Sequence, residues 1–287
     1  MVKFATHKSI VTFIMTLPLI IILLTFSIYP FINLVQMSFS SFSVTKGFEY
    51  MGLANLFRFI SDREALGSVG RTFFYVFVSV SGEFIIGLGL ALLIKGRFRG
   101  SLRTLVIIPM LVAPVAVGII WRLMYDPVFG VINQLLAKMG ILGKSWLADP
   151  KVALWAVIIV EVWQWTPFVF LILLAGLESL PREIYEAAQV DGGSFWQIFR
   201  HITLPMLSPI IFIALFFRTA ECFKSFDKIW VLTAGGPGSA TEIISTHIYR
   251  VSFRHSLLGY GAFLALIMVC FIVVYNLSYM IFFRRKA

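Results

Sequence analysis

The sequence predicts an all-α polytopic membrane protein that crosses the bilayer six times, with both termini in the cytoplasm. Three observations carry this. Of the 287 residues, 59% are apolar and only 13% are charged, far from the balance of a domain that folds in water. The apolar residues gather in runs of about 20, the length a helix needs to cross the hydrocarbon core. The basic residues gather beside those runs.

The runs extend from Ile10 to Ile28, Phe73 to Ile94, Leu105 to Met124, Val152 to Leu174, Leu207 to Phe226 and Gly261 to Phe283. The first follows Lys3 and Lys8, as a secretory signal would. It is longer than a signal core and no small-residue cleavage site follows it, so it reads as an uncleaved span. The N-terminus (Lys3, Lys8), the second connection (Lys95, Arg97, Arg99, Arg103) and the tail (Arg284, Arg285, Lys286) together hold nine basic residues and no acidic one, which marks them as cytoplasmic. An even number of spans puts the fourth connection, Ala175 to Met206, on the same side. The outward connections, near Asn33 to Thr72, Tyr125 to Lys151 and Asp227 to Tyr260, carry Gly, Pro, Trp and mixed charge and read as compact loops. No internal repeat is visible, so the inverted-repeat plan of many secondary transporters gains no support.

The net charge of +10 does not point to nucleic acid, because the basic clusters flank membrane spans and no aromatic-basic surface accompanies them. Cys222 and Cys270 lie inside apolar segments and are too few for a disulfide scaffold or a cysteine-based metal cluster. No serine-histidine, paired-aspartate or zinc-ligand spacing occurs within the spans, which argues against an intramembrane enzyme. No glycine-rich Lys-Ser or Lys-Thr phosphate loop is present either. Catalytic residues, metals and cofactors are therefore not expected, and the chain has no means of binding ATP in the usual P-loop fashion.

The fourth connection is the most informative segment. After Pro181 comes the strong helix-forming run Glu183 to Val190, which Asp191-Gly192-Gly193 breaks. Ser194 can then cap a second short helix containing Phe195, Trp196, Ile198 and Phe199 and ending before Leu204-Pro205. Taken alone, such a segment is an amphipathic helix lying in the membrane interface. Its spacing says more: Glu186-Ala187-Ala188, then Gly192, Ile202 and Leu204-Pro205, resembles at every defining position the EAA signature of the membrane subunits of bacterial ATP-binding-cassette importers. The resemblance implies the type I importer permease fold, one permease domain over residues 1–287, and a place in the inner membrane. It also implies that the loop docks on an ATPase subunit, through Glu186, Ala187, Ala188, Asp191, Gly192, Ile202, Leu204 and Pro205. The implied partners are a second homologous permease, two ATPase subunits and an extracytoplasmic solute-binding protein.

Further segments resemble the carbohydrate branch of that family, in particular the first permease of maltose-type and glycerol-phosphate-type importers. They are Tyr29-Pro30 with Ser38-Phe39, Gly52-Leu53 with Asn55, Trp121 with Pro127 and Phe129-Gly130, Phe226-Asp227, and Leu232 to Pro237 with Tyr249-Arg250. The implied function is ATP-driven import of a sugar or sugar derivative by alternating access. The chain is trimmed relative to the enteric maltose subunit, with no room for that protein's two extra spans and large periplasmic insertion.

Charged side chains are costly near a bilayer centre, so Glu83, Glu161, Arg218 and Glu221 stand out. Arg218, Glu221, Cys222 and Ser225 follow helical spacing on the fifth span, and Glu161, Trp165 and Phe168 do so on the fourth. Two stripes of carboxylate, guanidinium and aromatic groups suit a sugar, whose ring packs on aromatic faces while charged groups bind its hydroxyls. By position, the resemblance sets these residues opposite sugar-contacting positions. Alternatively, Arg218 is neutralised by Glu221 or Glu161, and Glu83 bonds a neighbouring helix. Lys224, Asp227 and Lys228 read as residues of the outer span end that snorkel or serve the loop. The rival function is a stand-alone secondary transporter or channel using Glu83, Glu161 and Glu221 as a cation path, a reading that leaves the coupling signature unexplained.

Overall fold

The computed structural model describes residues 2–43, 47–94 and 99–284. Lys95, Arg97, Arg285 and Lys286, read above as cytoplasmic markers, lie outside the described residues, as do the side chains of Lys3, Lys8, Arg99 and Arg284. Five of the described helices are long and apolar enough to cross a membrane, or six if one sharply bent pair counts as a single span.

The first helix, α1 (Val2–Leu23), widens into a π-turn at Leu24–Ile28 and continues as α2 (Tyr29–Ser38). Pro30 explains the turn. A proline donates no hydrogen bond and its ring crowds the carbonyl four residues back, whereas here the Tyr29 N–H reaches five residues back to Leu24 and opens the helix around the ring. The most apolar stretch of this helix contains no buried residue.

Two compact units can be distinguished. The smaller comprises residues 1–62 and 248–267. Beyond α2 it holds a hairpin of β1 (Ser40–Ser43) and β2 (Gly47–Tyr50), antiparallel with Ser40 opposite Tyr50, followed by α3 (Ala54–Ser61). Asn55 gives the Gly52-Leu53-Asn55 signature its structural purpose. Its buried side chain donates to the carbonyls of Ser38 at 2.8 Å and Ser40 at 3.2 Å, holding α3 to the start of the hairpin.

The larger unit comprises residues 63–247 and 268–287. It is built on α4 (Arg63–Leu93), α5 (Arg99–Leu111), α6 (Pro114–Met124), α7 (Val131–Lys138) and α8 (Ala153–Ser179). These are followed by α9 (Arg182–Val190), α10 (Phe195–Ile198), α11 (Leu204–Phe223), α12 (Asp227–Thr233) and α13 (Ile244–Tyr249). Of the last helix, α14 (Leu258–Arg284), the part from residue 268 onward belongs to this unit. Small residues let the long helices approach closely: a Cβ on Gly87 of α4 would come within 3.1 Å of the Phe170 amide nitrogen on α8. On Gly176 of α8 it would come within 2.7 Å of Leu207 on α11.

The third predicted span, Leu105 to Met124, is not one straight helix. The arms 100–111 and 114–124 meet at 95°. Pro114 causes the break, because it forces Ala113 into an extended conformation with ψ at 137°. A helix broken inside a membrane frees backbone groups that only protein can satisfy, and buried Gln164 of α8 donates to the Val112 carbonyl at 3.0 Å.

Candidate functional site

The connection between α8 and α11 forms the predicted elbow. Gly192 adopts φ +77°, a region that a side chain resists, and nothing lies within 4 Å of where its Cβ would be. Within this chain the requirement is therefore for a backbone turn and not for close approach. Ser194 caps α10 through a full capping box: its Oγ accepts from the Gln197 N–H, and the Ser194 N–H donates to Gln197 Oε1 at 2.8 Å. Tyr185 clamps α9 to the following turn by donating to Thr203 Oγ1 at 3.0 Å. Glu186, Ala187 and Asp191 are exposed and Ala188 is half-buried, while Val190, Phe195 and Trp196 present apolar side chains to the surroundings, at 88%, 69% and 63% exposure.

The second short helix does not end before Leu204-Pro205, as the sequence pattern suggested. It passes through a π-turn at Phe199–Thr203 straight into α11, so that residues Phe195–Phe223 form one rod. The device used at Pro30 recurs: the Leu204 N–H bonds five residues back to Phe199, leaving room for the Pro205 ring. Ile202 and Leu204 are half-buried along this rod, and Pro205 is exposed.

At the level of α8's middle turns the intramembrane charges meet. Arg218 of α11 donates from Nε to Glu83 Oε2 at 2.7 Å and from Nη2 to Glu83 Oε1 at 2.9 Å, and also reaches Glu161 Oε1 at 2.8 Å. Lys228 of α12 pairs with Glu161 Oε2 at 2.5 Å, and the Tyr75 hydroxyl donates to the same oxygen at 2.6 Å. Arg218 lies 4.8 Å from the centre of the Trp165 ring. All four charged groups are buried, and two cations balance two carboxylates.

Arg218 is thus paired with Glu161, and Glu83 does bond a neighbouring helix. Glu221 does not share the stripe's interior: it is exposed and pairs with Lys224 at 2.7 Å. Cys222 is fully buried, Ser225 Oγ lies 3.1 Å from the Tyr75 hydroxyl oxygen, and Trp165 and Phe168 are half-buried. The expectation that Lys228 snorkels at the outer end is overturned. The chain breaks at Lys224-Ser225-Phe226 and α12 folds back, which turns Lys228 inward to Glu161. Tyr75 was also missed, since a tyrosine in an apolar run carries no sign of its partner.

The outer loops are braced from within. Asp126 Oδ1 accepts from the N–H groups of Phe129 at 2.8 Å and Val128 at 2.9 Å, bonds that hold its carboxyl below the usual range. In the Leu232 to Pro237 signature, Thr241 donates to the Gly236 carbonyl at 2.8 Å, beside a cis Gly236-Pro237 bond.

Residues 83–287 match the family described as binding-protein-dependent transport system inner membrane component. The chain belongs to this family. Among its relatives, this inner membrane component is 40% identical over 282 residues to the trehalose/maltose transport system permease protein MalF of Thermococcus litoralis, covering 96% of the chain and 94% of the relative. It is 33% identical over 273 residues to the sulfoquinovosyl glycerol transport system permease SmoG of Agrobacterium fabrum, covering 94% and 89%. A chain from the crystal structure of a bacterial ABC transporter that imports the acidic polysaccharide alginate superposes with a TM-score of 0.86 at 25% identity, over 99% of this chain and 98% of that one. The fold is that of a type I ABC-importer permease, an all-α multi-pass protein of the inner membrane.

Proposed function

We propose that this permease subunit of an ABC importer carries a neutral sugar of roughly disaccharide size, a size within the range of small-ligand clefts. Its partners in this reading are a second, nonidentical permease, two ATPase subunits and an extracytoplasmic solute-binding protein. One permease domain spans residues 1–287, and residues 175–206 form the coupling loop that docks on an ATPase subunit.

One observation carries the mechanism: the exposed elbow is continuous with the helix that holds Arg218. Force applied at Glu186, Ala187, Ala188, Asp191 and Gly192 passes through Ile202, Leu204 and Pro205 into a single rod ending at the charge cluster. Shifting a two-state transporter from mostly one access state to mostly the other takes about 5.5 kcal/mol of differential interaction, a load that a rod transmits and a floppy loop does not. The substrate path runs past both stripes. Trp165, Phe168 and Glu221 offer it surface, while Glu161, Arg218, Cys222 and Ser225 hold those groups in place from behind.

Two features support a neutral sugar. The trehalose/maltose permease is a relative over nearly the whole chain. Arg218 and Lys228 are already spent on Glu83 and Glu161, which leaves no surplus positive charge in the cluster for an anionic ligand.

The test is ATPase activity of the purified assembly with its delivery protein and a panel of maltose, trehalose, sucrose and glucuronate. Stimulation by a neutral disaccharide and not by glucuronate is expected. Stimulation by glucuronate alone removes the neutral-sugar reading.

A further inference from the structure

A cavity lies at the end of the larger unit opposite the elbow, near the N-terminus of α8. It measures about 400 Å³ and is bordered by Arg122, Tyr125, Asp126, Ser145, Trp230 and Thr233. None of these belongs to the stripes or the charge cluster. We propose that this cleft is a separate sugar subsite at the outer mouth, which holds one ring before it enters the membrane path. The inference rests on the sugar-importer reading and adds a site to it.

The volume falls within the range of small-ligand clefts, and the lining combines an aromatic face with hydroxyl and charged groups, as sugar recognition requires. Trp230 is half-buried, with its ring held at 5.6 Å by stacking on Phe226. Arg122 is exposed, spends one donor on the Val231 carbonyl at 3.2 Å, and makes no ion pair among the described residues. A guanidinium has five donors, so most remain for ligand hydroxyls. Asp126 uses only Oδ1 to cap its turn, which leaves Oδ2 as an acceptor, and the Ser145 hydroxyl has no partner among the described residues.

The walls are preorganised. Asn133 receives the Trp146 indole N–H at 2.8 Å and donates to the Lys144 carbonyl at 2.9 Å, fixing the strip that carries Ser145. On the facing wall, Thr233 and Thr241 share a hydrogen bond of 2.6 Å, and the Gly236 N–H donates to the Thr233 carbonyl. A site whose polar groups are already positioned loses little ordering entropy on binding.

The test uses the assembled importer carrying Cys270→Ser, which removes the exposed cysteine and leaves Cys222 buried. Ser145→Cys in this background is labelled from outside with a membrane-impermeant maleimide. Millimolar maltose, trehalose or sucrose, without delivery protein, is expected to slow labelling about fivefold or more. Leu142→Cys, outside the cleft on the same loop, is expected to label at an unchanged rate. Protection is lost in Trp230→Ala and kept in Trp230→Phe. If a sugar supports uptake yet gives no protection, or if only the delivery protein protects, the subsite is refuted and the importer reading stands. An assembly that hydrolyses ATP but takes up no sugar of the panel removes the sugar reading and the subsite with it.

Discussion

Arg218 grips Glu83 with two parallel hydrogen bonds, at 2.7 and 2.9 Å, and shares one of its donating nitrogens with Glu161 at 2.8 Å. One guanidinium thereby ties α11 to α4 and α8 at once. Only arginine has a planar fork that serves two carboxylates in this way.

Arg218→Ala leaves two buried carboxylates facing one lysine, and is expected to destabilise the assembled complex by about 3–5 kcal/mol. Glu83→Gln combined with Arg218→Met removes one charge of each sign and leaves the Lys228–Glu161 pair intact. That double variant should unfold at a higher temperature than Arg218→Ala in a detergent melt. A double variant no better than Arg218→Ala would show that charge balance is not what holds the cluster.

Gly192 supplies a left-handed backbone angle, and the space around its Cβ position is open. Gly192→Asn, which tolerates that angle, is expected to keep most of the coupling, while Gly192→Val loses it. The ratio of sugar imported to ATP hydrolysed is the readout. Equal ratios in the two variants would mean that the elbow's angle is irrelevant.

Gln164→Leu removes the donor that satisfies the Val112 carbonyl at the broken span. The loss is expected to cost about 1–3 kcal/mol, the penalty for stranding a buried polar group. Amide exchange should rise in residues 109–117 and stay unchanged at the elbow. Unchanged exchange on both sides of Pro114 would contradict the role given to Gln164.

Gly176→Leu forces side-chain atoms into Leu207 and Ile210 at the α8–α11 contact. An overpacking cost of about 1–3 kcal/mol is expected, seen as a lower melting temperature. Gly176→Ala should show the smaller share of that loss, because Leu207 and Ile210 have flexible ends that can shift.

The parts legible in the sequence are those that obey local rules. Apolar runs mark the spans, Gly192 marks a turn, and Ser194 marks a capped helix start, because each effect is decided within a few residues. The break at Pro114 was concealed by the continuous apolar run around it, which satisfies a hydropathy pattern whether or not the helix is straight. Pro205 misled in the opposite direction: a proline usually stops a helix, but the π-turn ending at Thr203 lets the rod continue. The charge cluster was half legible. Glu161, Arg218 and Glu83 announce themselves by the cost of burying charge, whereas Lys228 lies beyond a chain reversal and Tyr75 is silent until α4 packs on α8.

Coupling requires that the ATP-hydrolysing subunit touch the elbow. A photoreactive side chain placed at Trp196 in the full importer, in membranes, should form its main adduct with the ATP-hydrolysing subunit, and sugar uptake should stop once the adduct has formed. Adducts with lipid alone, in cells whose uptake continues undiminished, would contradict it.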